Sequence, residues 1–102
     1  MASGTITKVN RAITKTASSY VTKFSGRLVD NVATISVTVD DIPSNTFTHI
    51  GTLDVKPYDD LVFPAVGTSA NGVGIVLISK NGAIQIYSAL PSLQFAFTFV
   101  TN

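Results

Sequence analysis

Apolar and polar residues alternate with a period of two along most of this chain, and short clusters of Asp, Asn, Gly, Pro and Ser interrupt the alternation. That period belongs to strands with one face in a core and the other in water. Tyr20 to Val29 sets Tyr20, Phe24 and Leu28 against Lys23, Ser25 and Arg27. After an Asp30-Asn31 turn, Val32 to Val39 resumes, with Ala33, Ile35, Val37 and Val39 on one face and Thr34, Ser36 and Thr38 on the other. The short link makes the two runs an antiparallel hairpin. Asp40-Asp41 and Pro43-Ser44-Asn45 mark a loop, and Phe47 to Val55 is a further strand-like stretch broken by Gly51. Leu61 to Val66 carries Pro64, which cannot donate to a ladder and so predicts an edge or a bulge. Gly67 to Gly72 reads as a loop. Val73 to Ser79 and Ala83 to Ser88 flank Lys80-Asn81-Gly82, a hairpin signal because Asn-Gly readily takes positive φ. Leu93 to Val100 closes the series. Lys8 to Ser19 places Val9, Ala12, Ile13 and Thr16 at helical spacing, but its threonines and weak stripe favour an irregular arm. Six to eight short antiparallel strands predict an all-β sandwich or barrel over residues 20–102, behind an arm of residues 1–19.

Two strands depart from simple alternation. Val73-Gly74-Ile75-Val76-Leu77-Ile78 is apolar on both faces, the pattern of a strand buried on both sides. A domain of this size has one core, so the second face points to a neighbouring subunit, with Val73, Ile75, Val76 and Ile78 as contact residues. The last strand lines Leu93, Phe95, Phe97 and Phe99 along one face as core. Its other face, with Ala96, Thr98 and Val100, is small enough for another chain to approach. The competing reading makes both strands central in a sandwich.

Composition sharpens this. Charged residues are 13% of the 102, against about 25% in a typical domain. Interface cores are depleted in charge, so the scarcity favours an oligomer. A net charge of +1, with five Lys and two Arg scattered, leaves no basic face for nucleic acid. No apolar run is long enough for a helical membrane span. The absence of cysteine excludes disulfides, thiolate metal sites and cysteine nucleophiles.

The second half carries an ordered set of motifs: Phe47-Thr48-His49-Ile50-Gly51-Thr52-Leu53, then Lys56-Pro57, Val62-Phe63-Pro64-Ala65-Val66, Val73 to Ser79, Asn81-Gly82-Ala83-Ile84-Gln85-Ile86, and Phe95 to Thr101. This set resembles the C-terminal domains of tail-tip and baseplate proteins from phages of Gram-positive bacteria, and is most similar to the head domain of lactococcal phage receptor-binding proteins. The resemblance covers roughly residues 46 to 102. It implies a Greek-key β-barrel head, assembled as a homotrimer at the tail tip or baseplate of the virion, that binds a host cell-wall saccharide during adsorption. It further implies a chain that is one piece of a longer protein, joined through a preceding N-terminal region to other baseplate proteins. Related heads often hold the sugar with a Trp; this chain has none.

Chemistry-bearing residues are few. His49 is the single histidine, and its strand-like neighbours suit a hydrogen bond to a saccharide or an interface better than a role as catalytic base. Asp40-Asp41 and Asp59-Asp60 are acid pairs in loops. They read as turn formers first, and only distantly as the two carboxylates of a glycosidase. No loop has the spacing of a calcium site. Lys56, Tyr58 and Asp59, near Asp54, form the densest polar and aromatic mixture, and with His49 they define a candidate saccharide patch. Arg27 and Tyr87 are secondary candidates. The expectation is a non-enzymatic, cofactor-free and metal-free saccharide binder. The alternatives are a structural baseplate, tail or capsid module of the same fold and, more remotely, a glycan hydrolase.

Overall fold

The computed structural model describes residues 10–68 and 71–101. Within them lie nine strands: β1 (Asn10–Ala12), β2 (Lys15–Ala17), β3 (Val21–Val29), β4 (Val32–Val39), β5 (Thr48–Leu53), β6 (Leu61–Gly67), β7 (Val73–Ile78), β8 (Ala83–Tyr87) and β9 (Leu93–Val100). They form one antiparallel sheet in the order β1-β3-β4-β9-β6-β7-β8-β5-β2. β6, β7 and β8 follow one another as neighbours, and β9 returns to lie beside β6, which is the strand order of a Greek key. Of the all-β sandwich or barrel expected from the alternation, the structure shows a nearly closed barrel-like sheet.

β1 and β2 are consecutive in the chain yet stand at opposite ends of the strand order. Together they are one bent strand that pairs with β3 through its first half and with β5 through its second, drawing the sheet into a barrel. At the bend, the Ile13 N–H donates to Gly26 O at 2.9 Å and the Asp54 N–H donates to Thr14 O at 3.0 Å. Ile13 is buried in the core. The segment expected to be an arm therefore belongs to the barrel from Asn10 onward. Two strands of three residues are too short to display a period, so only their partners reveal them. The remainder of the expected arm, residues 1–9, lies outside the described residues.

The core takes the inward face of every long strand: Ala33, Ile35, Val37 and Val39 from β4, Val76 and Ile78 from β7, Ile84 and Ile86 from β8, and the ridge Leu93, Phe95, Phe97 and Phe99 from β9. Successive ridge phenylalanines stack at 5.8 and 5.9 Å, and Phe63 of β6 lies 4.9 Å from Phe97. Burying each ring contributes about 1.5–3 kcal/mol. β3 begins with a bulge: Val21 pairs with Val39 and Lys23 with Thr38, leaving Thr22 over. That extra residue resets the alternation, so Val21 rather than Thr22 packs on the core.

The two-sided strand behaves differently from the expectation. β7 sends Val76 and Ile78 into its own barrel, where both are fully buried, so they are removed from any contact with a second chain. Val73 and Ile75 point the other way and remain 72% and 44% exposed. The apolar run is thus half core and half uncovered wall. Ala96, Thr98 and Val100 face outward on β9, as the alternation requires. Pro64 fits the edge reading: β6 pairs with β7 along its length but meets β9 only at Val66 and Gly67.

The β7–β8 connection is the expected hairpin with a modified turn. The Ser79 N–H donates to Ala83 O and the Gly82 N–H to Ser79 O, enclosing Lys80, Asn81 and Gly82 in a three-residue loop. Only Gly82 takes positive φ, at 88°, so the glycine rather than the Asn-Gly pair turns the chain.

Candidate functional site

β5 and β8 run side by side and set His49 directly across from Gln85. Tyr87 follows Gln85 on the same outer face of β8, two residues on. Phe47, two residues before His49, folds its ring against Tyr87 with centroids 4.9 Å apart and planes tilted by 42°. Phe47 stays 49% exposed. The result is an aromatic shelf on the barrel wall, edged by an imidazole and a primary amide.

A bulge builds the polar edge of this shelf. His49 pairs with Gln85 and Gly51 with Ile84, so Ile50 is one residue too many on β5 and turns into the core. In an unbroken strand His49 and Thr52 would point to opposite faces. The extra residue brings both outward, and His49 Nε2 lies 3.1 Å from Thr52 Oγ1. Gly51 is dictated by its neighbour strand, since a Cβ there would fall 2.5 Å from Thr16 O.

Gln85 also lines a cleft of about 420 Å³ that continues along the outer face, with Val62, Leu77 and Ala83 as apolar lining and Asp60 and Asn81 at the polar end. That volume falls in the range of small-ligand sites. Asp60 Oδ1 accepts the Lys80 N–H at 2.9 Å, and Asn81 Oδ1 accepts from Ser79 Oγ and from the Ala83 N–H. These bonds fix the turn that borders the cleft. Neither the Gln85 amide nor the Tyr87 hydroxyl has a side-chain hydrogen-bond partner among the described residues, so both are open to a ligand. Apolar ring faces beside unengaged donors and acceptors match a sugar, whose C–H faces are apolar and whose edge is hydroxylated.

The patch expected around His49 is divided. Lys56, Tyr58 and Asp59 belong to the connection from β5 to β6, in which Pro57 bridges to Thr101 just beyond β9. β8, β7 and β6 separate that point from β5. Tyr58, 60% exposed, is therefore at the barrel end while His49 is on the wall. Arg27 faces outward on β3, beyond the bent β1–β2 strand in the other direction. Of the expected saccharide residues, His49 and Tyr87 come together, and Lys56, Tyr58, Asp59 and Arg27 do not join them. Phe47 and Gln85 complete the cluster without having been singled out from the sequence. Phe47 lies just before β5, two residues from His49, and Gln85 shares a strand face with Tyr87, but the pairing of β5 with β8 spans more than thirty residues and leaves no local trace.

The acid pairs do not converge. Asp41 takes a positive φ of 60° in the loop after β4, and Asp60 caps the β7–β8 turn at the opposite end of the barrel. Eight residues of β4 span roughly 26 Å, well beyond the separation of two glycosidase carboxylates. Among the described residues, no three His, Cys, Asp or Glu side chains are placed to hold a metal ion. No protein-family model matches the chain, and no curated protein matches it in sequence.

Proposed function

We propose that this chain is the receptor-binding head of a phage tail tip or baseplate, and that it recognises a host cell-wall saccharide through the β5–β8 wall without transforming it. The observation that carries the reading is the Phe47–Tyr87 pair beside His49, Gln85 and the adjoining cleft. One sugar ring stacks on the aromatic pair, His49 and Gln85 take its hydroxyls, and the next ring enters the cleft. His49 is hydrogen-bonded to Thr52 rather than to an acid, which suits a ligand contact and not a proton relay. A shallow exposed site binds weakly, and linked copies in a homotrimeric head raise the avidity by orders of magnitude. The ordered motif set from Phe47 to Thr101 supports the assignment to a phage head.

A glycan array carrying Gram-positive cell-wall polysaccharides tests this. Binding that Tyr87→Ala weakens about tenfold, equivalent to about 1.4 kcal/mol, is the expected result. Binding to none of those glycans overturns the saccharide reading and leaves a structural module.

A further inference from the structure

The β5–β8 shelf is polar without being charged. Phe47, His49, Thr52, Gln85 and Tyr87 form it, and none of them is Lys, Arg or Asp. In the cleft that continues from Gln85, Asp60 is the one formally charged lining residue among those described. Strands β4 to β9 carry no Lys, Arg or Asp, so β7 and β6 bring no charge to the shelf from their side. On the other side β2 sets Lys15 opposite Leu53 of β5. Leu53 is buried, and residues directly opposite in an antiparallel pair share a face. Lys15 therefore leaves its strand on the face opposite to Thr52, and its ammonium lies 4.8 Å from the centre of the Phe24 ring, a cation–π contact on β3. Lys80 stands in the turn at the end of the cleft. It gives Asp60 its backbone N–H at 2.9 Å, and Lys80 is not among the residues lining the cleft.

We infer that the shelf and its cleft select an uncharged glycan, of hexose or N-acetylhexosamine units, and reject wall polymers that carry phosphate or carboxylate groups. This selection rests on the saccharide reading of the shelf and adds to it the charge class of the ligand. An anion brought against Val62, Leu77 and Ala83 loses water without gaining a counter-charge, which costs far more than covering a hydroxyl that finds a partner. It also meets the like charge of Asp60. Sites that hold phosphate or carboxylate set Arg or Lys against it, and among the described residues none lines this wall. The groups that are present suit a neutral ring. The Gln85 amide both donates and accepts, as a hydroxyl does, and the Asp60 carboxylate keeps lone pairs beyond the one given to the Lys80 N–H.

Titration of the chain with a panel of neutral polysaccharides from Gram-positive walls, and with a poly(glycerol phosphate) teichoic acid, tests this. Affinity for the neutral polymer is expected to change less than about twofold between about 50 and about 500 mM salt, since no charge attraction is there to screen. The teichoic acid is expected to bind at least about tenfold more weakly. Gln85→Lys places an ammonium where shelf and cleft meet, on an exposed residue whose replacement leaves the fold intact. That variant is expected to admit the teichoic acid, with an affinity that falls several-fold at the higher salt. Tighter binding of the teichoic acid by the wild-type chain overturns the inference and leaves the shelf reading in place. So does a Gln85→Lys chain that still excludes it. Binding of neither polymer class by the wild-type chain removes the shelf reading, and the charge selection falls with it.

Discussion

Gly82 shows how much one residue can carry in a fold of short strands. Its φ of 88° is available to glycine at no steric cost, and a Cβ there would also meet Leu53 O at 2.7 Å and Val55 O at 3.0 Å. Gly82→Ala is expected to destabilise the barrel by about 1–3 kcal/mol, read as a lower urea midpoint with an unchanged slope. The Asn-Gly signal was legible in the sequence, and so was the inward ridge of Leu93, Phe95, Phe97 and Phe99. What the sequence could not show is which carbonyls crowd the turn, since Leu53 ends β5 and Val55 lies in the connection after it, some thirty residues away in the chain. At the site, Gln85→Ala is expected to lower saccharide affinity several-fold while leaving the melting temperature within about a degree, because an exposed polar truncation off the core changes stability little. A titration and a thermal melt on the same variant separate the two effects.

Among the elements, the bent β1–β2 strand has the largest consequence for the least sequence. It joins the two edges of the sheet, and Ile13 at its bend supplies a core side chain. Ile13→Ala is expected to cost about 2–4 kcal/mol. It should also speed amide exchange at both partner edges, β3 and β5, more than at the distant β7. Equal acceleration at all three would mean that the bend closes nothing. The long strands β3, β4, β7, β8 and β9 could be read from alternation because each has one wet face. The bulges at Thr22 and Ile50 could not, since an inserted residue looks like noise until its partner strand fixes the register. The Ile50 bulge matters most for the proposed site, as it turns His49 and Thr52 to the same side. The sequence of β7 is apolar on both faces and so suggests a strand buried on both sides, but the barrel buries only Val76 and Ile78 and leaves Val73 and Ile75 outside.

For the whole molecule, the low charge content acquires a location. Among the described residues the charges stand on β1, β2, β3 and the connections, the other six strands carry no Lys, Arg or Asp, and the β5–β8 shelf lies on that uncharged wall. Neither arrangement can be read along a single chain, because each depends on strands brought together by the Greek key and by closure of the barrel. The proposed function turns on the saccharide shelf. Its most direct test is a calorimetric titration of the purified chain with soluble cell-wall polysaccharide from a Gram-positive host, run in parallel on Tyr87→Ala and on Tyr58→Ala. Saturable binding that Tyr87→Ala weakens about tenfold and Tyr58→Ala leaves unchanged is the expected result. Binding lost with Tyr58 and retained without Tyr87 would move the site to the barrel end and contradict it.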